Sequence, residues 1–379
     1  MKLFHLSDLH LGKRVNEYSM LEDQKYILKK ILFIIDEEKP DGVILAGDIY
    51  DKSVPAAEAV TLFDEFLAGL AKRKLEVFVI SGNHDSPERI AFGSRIMDNS
   101  GIHMSPVYNG KIDPIKMQDE FGEVNVYMLP FLKPAQVRRF FEDDDIVTYT
   151  DAISCVIKNM DIDLKARNVL AAHQFVTGAS RSESEEISVG GSDNVDASVF
   201  EQFDYVALGH IHSPQNCGKA HIRYCGTPLK YSFSEANDHK SVTVVNILDK
   251  GQVDFKTVKL VPMHDMVELK GTYEELTLRS FYKNTTWQED YTHITLTDEE
   301  DIIDAIGKLR AVYHRLMKLD YDNKRTRSSM TVDSGSNVDN KSPFELFSDF
   351  YELQNNQPMS EEQSDYIKDI IEKIWEGEQ

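Results

Sequence analysis

Apolar residues in the first hundred positions come in two spacings. Lys2 to Leu6, Gly42 to Ala46 and Glu76 to Ile80 are short apolar runs with polar residues after them, the pattern of buried strands. Between them, residues 20 to 38 place Leu21, Ile27, Leu28, Ile31, Ile34 and Ile35 at helical spacing, and residues 56 to 72 read as a second helix. Glu88 to Asn99 reads as a third, shorter one. Strand and helix in alternation predict an α/β core with crossover connections. Strands then dominate, at Val124 to Leu129, Arg167 to Ala172, Tyr205 to Leu208, Ile222 to Tyr224, Ser241 to Ile247 and Val253 to Lys259. Residues 266 to 320 read as a small α/β unit, with Tyr291 to Leu296 a strand and Glu299 to Met317 a helix. The run DNKRTRSSMTVDSGSNVDNKSP is polar, rich in Ser and Asn, and reads as a linker. Beyond it, Pro343 to Leu353 and Ser360 to Trp375 form two short amphipathic helices.

With 379 residues, the chain has room for one large domain and one or two small ones. The first residues run straight into charged and polar positions, unlike a signal peptide, and no apolar run reaches the roughly 18 residues of a membrane span. Cys155, Cys217 and Cys225 are the only cysteines, an odd number in a long chain. That predicts a reducing, cytoplasmic setting without a disulfide framework. The net charge of -22 argues, taken alone, against phosphate-backbone binding. The charge is uneven, however: Ser342 to Gln379 holds ten acidic residues against Lys368 and Lys373. Bound divalent cations could also mask local acidity, so the total says little about the substrate.

The chemistry gathers where strands end. Asp8-Leu9-His10 follows the first strand, Gly47-Asp48-Ile49-Tyr50-Asp51 the second and Gly82-Asn83-His84-Asp85 the third. Later strands end at Ala172-His173-Gln174 and Gly209-His210-Ile211-His212. In open α/β sheets ligands collect beyond the carboxyl ends of the strands. One such end is an ordinary polar turn; five carrying Asp, Asn and His are not explained that way. His210 and His212, two apart at a strand exit, can converge on one ion. Nitrogen and oxygen donors without thiolate suit Mn, Fe or Zn better than a closed structural zinc site. Two such ions about 4 Å apart can hold a phosphate, activate a water and stabilise a leaving oxygen. Asp48, in a glycine-flanked turn, is the natural bridge. Gly47, Gly82 and Gly209 are expected to let the backbone bend sharply beside the ions.

The motifs DLH, GDIYD, GNHD, AHQF and GHIH, in that order, resemble the five phosphoesterase motifs of the calcineurin-like metallophosphoesterases. VGGSDNV, then FEQFDYVALGHIHSPQ and YCGTPLKYSFSE, resemble the SbcD-like nuclease branch of that superfamily. The likeness covers residues 1 to 260 by specific motifs and the remainder by layout. It implies a four-layer α/β/β/α sandwich with a small α/β cap domain and a C-terminal helical tail. The boundaries it gives are 1–267 for the nuclease domain, 268–322 for the cap, 323–342 for the linker and 343–379 for the tail. It implies one ion on Asp8, His10, Asp48 and His212, and a second on Asp48, Asn83, His173 and His210, with Mn2+ the expected metal. His84 is implied to face the scissile phosphate without ligating, with Asp51 orienting it. Asp85 is read instead as the cap of the helix after it.

The resemblance further implies a DNA 3'-to-5' exonuclease and endonuclease that opens hairpins and works with an SbcC-type ATPase. A homodimer through residues 56 to 72 and 88 to 99 is implied as well. Lys13, Arg14, Arg89 and Arg181 are candidate DNA contacts, and solvated surface charge explains each of them equally well. His5, His103, His221, His239, His264, His293 and His314 match no motif and are read as structural. Two rivals remain: a phosphatase of nucleotides or phosphoproteins on the same core, and a non-catalytic scaffold. Ligand types at every motif position argue against the scaffold.

Overall fold

The computed structural model describes residues 1–185, 193–324, 326, 343–355 and 357–376. It divides into two compact units, Met1–Asp265 and Met266–Gln379. Most of the linker read at 323–342, and most of VGGSDNV, lie outside the described residues.

The first unit carries two six-stranded sheets. One runs in the order Val253–Lys259, Ser241–Ile247, Lys2–Leu6, Gly42–Ala46, Glu76–Ile80, Ile102–Met104. From Lys2–Leu6 onward its neighbours are parallel, and the first two strands are antiparallel additions. The other runs Gln215–Cys217, Lys219–Tyr224, Tyr205–Gly209, Arg167–His173, Gly122–Leu129, Ile115–Asp119, with its four central strands parallel. Strand side chains alternate between faces, and Gly42–Ala46 and Tyr205–Gly209, buried at every position, are almost wholly apolar. Leu3, Ile44, Phe78, Ile80 and Val245 of the first sheet meet Val124, Val126, Val169 and Ala207 of the second in one cluster between the sheets.

The outer faces are covered by helices. Leu21–Glu38 and Ala57–Ala71 are the crossovers between parallel neighbours of the first sheet. Right-handed crossovers place both on one face of that sheet. Tyr149–Lys158 covers the second sheet, its Ala152, Ile153, Val156 and Ile157 joining Tyr127, Leu129, Leu170 and Val206. The apolar spacing did not single this helix out, although its start is marked in the sequence. Thr148 and Asp151 form a capping box, each side chain accepting the other's backbone N–H at 3.1 and 2.8 Å. The layers are α/β/β/α, the four-layer sandwich that the motifs imply.

Two helices differ from the sequence reading. Glu88 to Asn99 is not one helix but Pro87–Ile90 and Ser94–Met97 followed by a 3-10 turn at Asp98–Ser100. Gly93, at φ 75°, breaks it in a left-handed conformation. In the second unit, Glu299 to Met317 is helical only at Ala305–Arg310, and Arg315–Tyr321 is a strand paired in parallel with Tyr291–Leu296. Edge pairing onto an existing strand outweighs the local helical spacing. Met266–Gly271 completes this three-stranded sheet, over a core of Leu269, Ile294, Leu296, Leu309, Tyr313 and Leu316. That strand opens the second unit at Met266, two residues before the boundary read from the sequence. The tail helices are Pro343–Asn355 and Glu361–Glu376, and Lys368 Nζ lies 4.9 Å from the centre of the Phe344 ring. No described helix is long and apolar enough to cross a membrane.

Candidate metal centre

The five motif loops leave the carboxyl ends of strands in both sheets. The first two are laced together: Asp8 N donates to Gly47 O, His10 N to Asp48 O and Leu11 N to Ile49 O, at 2.9 to 3.0 Å. Tight turns follow. Asp8, His10, Asp48 and His210 all hold positive φ, at 54°, 44°, 49° and 102°. Such conformations cost about 1–3 kcal/mol each for non-glycine residues and persist where surrounding structure enforces them.

The three glycines serve the site in different ways. Gly47 sits at φ 87°, as expected of a bend. Gly82 and Gly209 do not have positive φ, which corrects the reading of them as sharp bends. What they provide is room. A Cβ on Gly82 would collide with Asp48 Oδ1, and one on Gly209 would collide with Ala46 O.

The donor atoms converge. Asp8, His10 and His212 form one cluster of potential ligands, and Asp8, Asp48 and His173 another. His10 Nε2 and His212 Nε2 are 3.1 Å apart. His173 Nε2 and His210 Nδ1 each lie 3.0 Å from Asn83 Oδ1. Asp48 stands between the groups, its Oδ2 3.4 Å from His173 Nε2 and 3.8 Å from His10 Nε2. Apart from Asn83, half-buried like the neighbouring His84, all these side chains are buried. A third cluster joins His84 to His10 and Asp48, with His84 Nε2 3.8 Å from Asp48 Oδ2.

The residues fit a pair of cations. His10 Nδ1 and His210 Nε2 are buried without a hydrogen-bond partner. Two imidazole nitrogens face one another across hydrogen-bond distance, and two carboxylates are buried beside them. Unpaired buried polar groups are expensive, and an ion removes the cost. Charge tells the same story. Burial raises the Asp8 carboxyl above its usual range, and the charge on Asp48 pushes the same way. Burial would raise Asp48 too, but the His173, His10 and His84 imidazoles outweigh it and hold the group low. His173 is pushed up to about 9: burial would lower it, but the charges of Asp48 and Asp8 win. A proton on His173 thus balances these acids, and a ligand histidine exchanges that proton for a metal.

Two sequence readings need correction. Asp51 meets His84 through its backbone: the His84 Nδ1–H donates to Asp51 O at 3.1 Å. The Asp51 carboxylate instead binds Lys13 Nζ at 2.8 Å. A carbonyl fixes the tautomer as well as a carboxylate does and leaves Nε2 as the free nitrogen. Asp85 does not cap the next helix. Its buried carboxylate accepts the N–H groups of Ile49, Tyr50 and Gly82 at 2.9 to 3.0 Å, tying two motif loops together. Ser86 is the cap, its hydroxyl accepting Arg89 N–H.

The candidate basic residues are engaged. Lys13 pairs with Asp51, and Arg14 and Arg89 donate to the carbonyls of Glu17 and Ser53. Arg181 pairs with Asp193 and stacks 3.6 Å from the centre of the Phe175 ring. Among the unmatched histidines, His5 ties the sheets together through Tyr205 and Leu208, and His103, His264, His293 and His314 each pair with carboxylates. All three cysteines are free.

The sequence model of the calcineurin-like phosphoesterase family matches residues 1–214. A second model, that of the type 5 capsule protein repressor C-terminal domain, matches residues 262–355. The SbcD subunit of the SbcCD nuclease of Staphylococcus epidermidis is 33% identical over 388 residues, covering all of both chains. The chain belongs to the calcineurin-like phosphoesterases, in their SbcD branch. Among solved structures, a dimetal phosphatase from Danio rerio is 13% identical, with a TM-score of 0.38 over 69% of this chain and 96% of that one.

In this phosphoesterase, the turn bearing His10 rests on residues outside the five motifs. Gln24 Nε2 donates to His10 O at 2.7 Å, and Tyr231 OH donates to Leu9 O at 2.6 Å. Tyr231 belongs to the stretch YCGTPLKYSFSE, which marks the branch without marking a role.

Proposed function

We propose that this chain is the nuclease subunit of a DNA-repair and recombination complex, a two-metal phosphodiesterase acting on DNA. The observation that carries the reading is Asp48 standing between two donor clusters drawn from both sheets. Asp8, His10, Asp48 and His212 would hold one ion, and Asp48, Asn83, His173 and His210 the other, with Mn2+ the metal that suits the donors. Such a pair, once bound, supplies an activated water and charge stabilisation for in-line displacement at a phosphodiester. The chain's own residues do the rest. The two carboxylates and five neutral donors fix the site, and the glycines let both sheets approach it. His84, oriented by the Asp51 carbonyl, presents Nε2 at the mouth beside Asp48 as the group that meets the leaving oxygen.

The finer reading has 3'-to-5' exonuclease and endonuclease activity, hairpin opening, and an SbcC-type ATPase bound through residues 343–379, in the cytoplasm. A homodimer through residues 56–72 and 88–99 is supported by apolar side chains left exposed there, Val60, Phe92 and Ile96 at 44%, 80% and 78%. The relative named as part of SbcCD supports the ATPase partnership.

The test incubates the protein and Mn2+ with a labelled duplex and with p-nitrophenyl mono- and diesters. Cleavage of DNA and of the diester is expected, lost in Asp48→Ala together with calorimetric binding of both ions. His84→Ala should keep Mn2+ and DNA binding but turn over about 100- to 10,000-fold more slowly. Hydrolysis of the monoester with intact DNA would support the phosphatase reading instead.

A further inference from the structure

His212 is held from behind by a chain of polar groups that none of the five motifs contains. Its Nδ1 lies 2.6 Å from Ser184 Oγ. The Ser184 hydroxyl donates to Glu235 Oε1 at 2.5 Å. A serine hydroxyl has one proton, and here the carboxylate takes it. Oγ can therefore only accept from the imidazole, so the proton on His212 sits at Nδ1. Nε2 is left with its lone pair, facing His10 Nε2.

Behind Ser184 the anchor is rigid. Glu235 is completely buried, and Lys240, only 4% exposed, donates to Glu235 Oε2 at 2.5 Å. The same ammonium donates to the backbone carbonyl of His212 at 2.9 Å. Glu185 accepts the His212 N–H at 2.7 Å. A buried ion pair is a poor way to gain stability, since apolar packing serves as well or better. This pair grips one residue, at both its ring and its carbonyl.

We propose that Ser184, Glu235 and Lys240 form a positioning relay that fixes His212 as its Nδ1–H tautomer and aims Nε2 at one divalent ion. The inference rests on the two-metal reading above and adds residues to it. Second contacts of this kind are worth about 10- to 100-fold in metal affinity.

The experiment titrates Mn2+ into the full chain by calorimetry for wild type, Ser184→Ala and Glu235→Gln, and reads the 15N shifts of the His212 ring in the metal-free proteins. In both variants one Mn2+ site should weaken by about 10- to 100-fold with the other retained, and His212 should populate both tautomers. Glu235→Gln strands the Lys240 ammonium and can fail to fold. Ser184→Ala keeps the ion pair and then decides the matter. A folded Ser184→Ala protein with both affinities and the Nδ1–H tautomer unchanged overturns the relay. If wild type binds no pair of ions, the two-metal reading falls, and the ring shifts still decide whether the relay sets the tautomer.

Discussion

At the residue scale, polar groups fixed by burial make the site and also set limits on it. His5 shows this away from the ions. Its ring spans the gap between the sheets, Nδ1 accepting from Tyr205 OH at 2.9 Å and Nε2–H donating to Leu208 O at 3.1 Å. Burial, helped by the charge of Arg223, lowers it to about 3. The folded state therefore keeps this ring neutral while the unfolded state takes up a proton below about 6.5. The stability it supports is complete above that pH and falls as pH drops toward about 3. Between pH 7 and pH 5 this one group should cost about 2 kcal/mol. Urea unfolding of the metal-free protein should show that loss, and His5→Gln should reduce it. Residue type was legible in the sequence at Asp8, Asp48 and His212; which atom each would present was not. Asp51 illustrates why, because a motif fixes a position while the turn decides whether side chain or carbonyl faces the partner.

At the element scale, the strands are where the sequence speaks clearly. Glu76–Ile80 and Ser241–Ile247 lie where the apolar runs put them. Long apolar runs buried on both faces have one structural outcome, whereas the short helices depend on neighbours. Ala305–Arg310 is short because a strand pairs beside it, and the helix after His84 breaks at Gly93. The close approach of strand ends from two sheets was invisible in the sequence. Gly209 closes the Tyr205–Gly209 strand against Ala46 O of the Gly42–Ala46 strand, and the same carbonyl accepts His173 Nδ1–H at 2.8 Å. Gly209→Ala should force the two sheet ends apart, destabilising the protein by about 1–3 kcal/mol. It should also weaken Mn2+ binding at the cluster that contains His173. Thermal melts and calorimetry on the variant check both, and an unchanged Mn2+ affinity would show that the approach is not needed.

At the scale of the whole molecule, the tail is the segment that most needs a partner. Phe347 and Phe350 on the first tail helix are 38% and 57% exposed, and the second helix is strongly acidic outside its isoleucines. Short helices with apolar stripes are marginal alone in water. The net charge of residues 342–379, ten acids against two lysines, repels DNA and favours a protein surface. Deleting residues 343–379 should spare metal-dependent cutting of single strands and abolish co-purification with an SbcC-type ATPase. A truncated chain that still binds the ATPase in a pull-down would move the contact to the Met266–Tyr321 region. The sequence by itself determined the class of the fold and pointed to the candidate ligands, because apolar periodicity and motif order are local properties of the chain. Only the tertiary structure decided that Gly82 and Gly209 provide room rather than bends, that Asp85 ties two loops, and that Glu235 reaches His212. Those depend on strands from two sheets ending within contact of each other. No local spacing encodes that distance, which follows from how the two apolar faces pack.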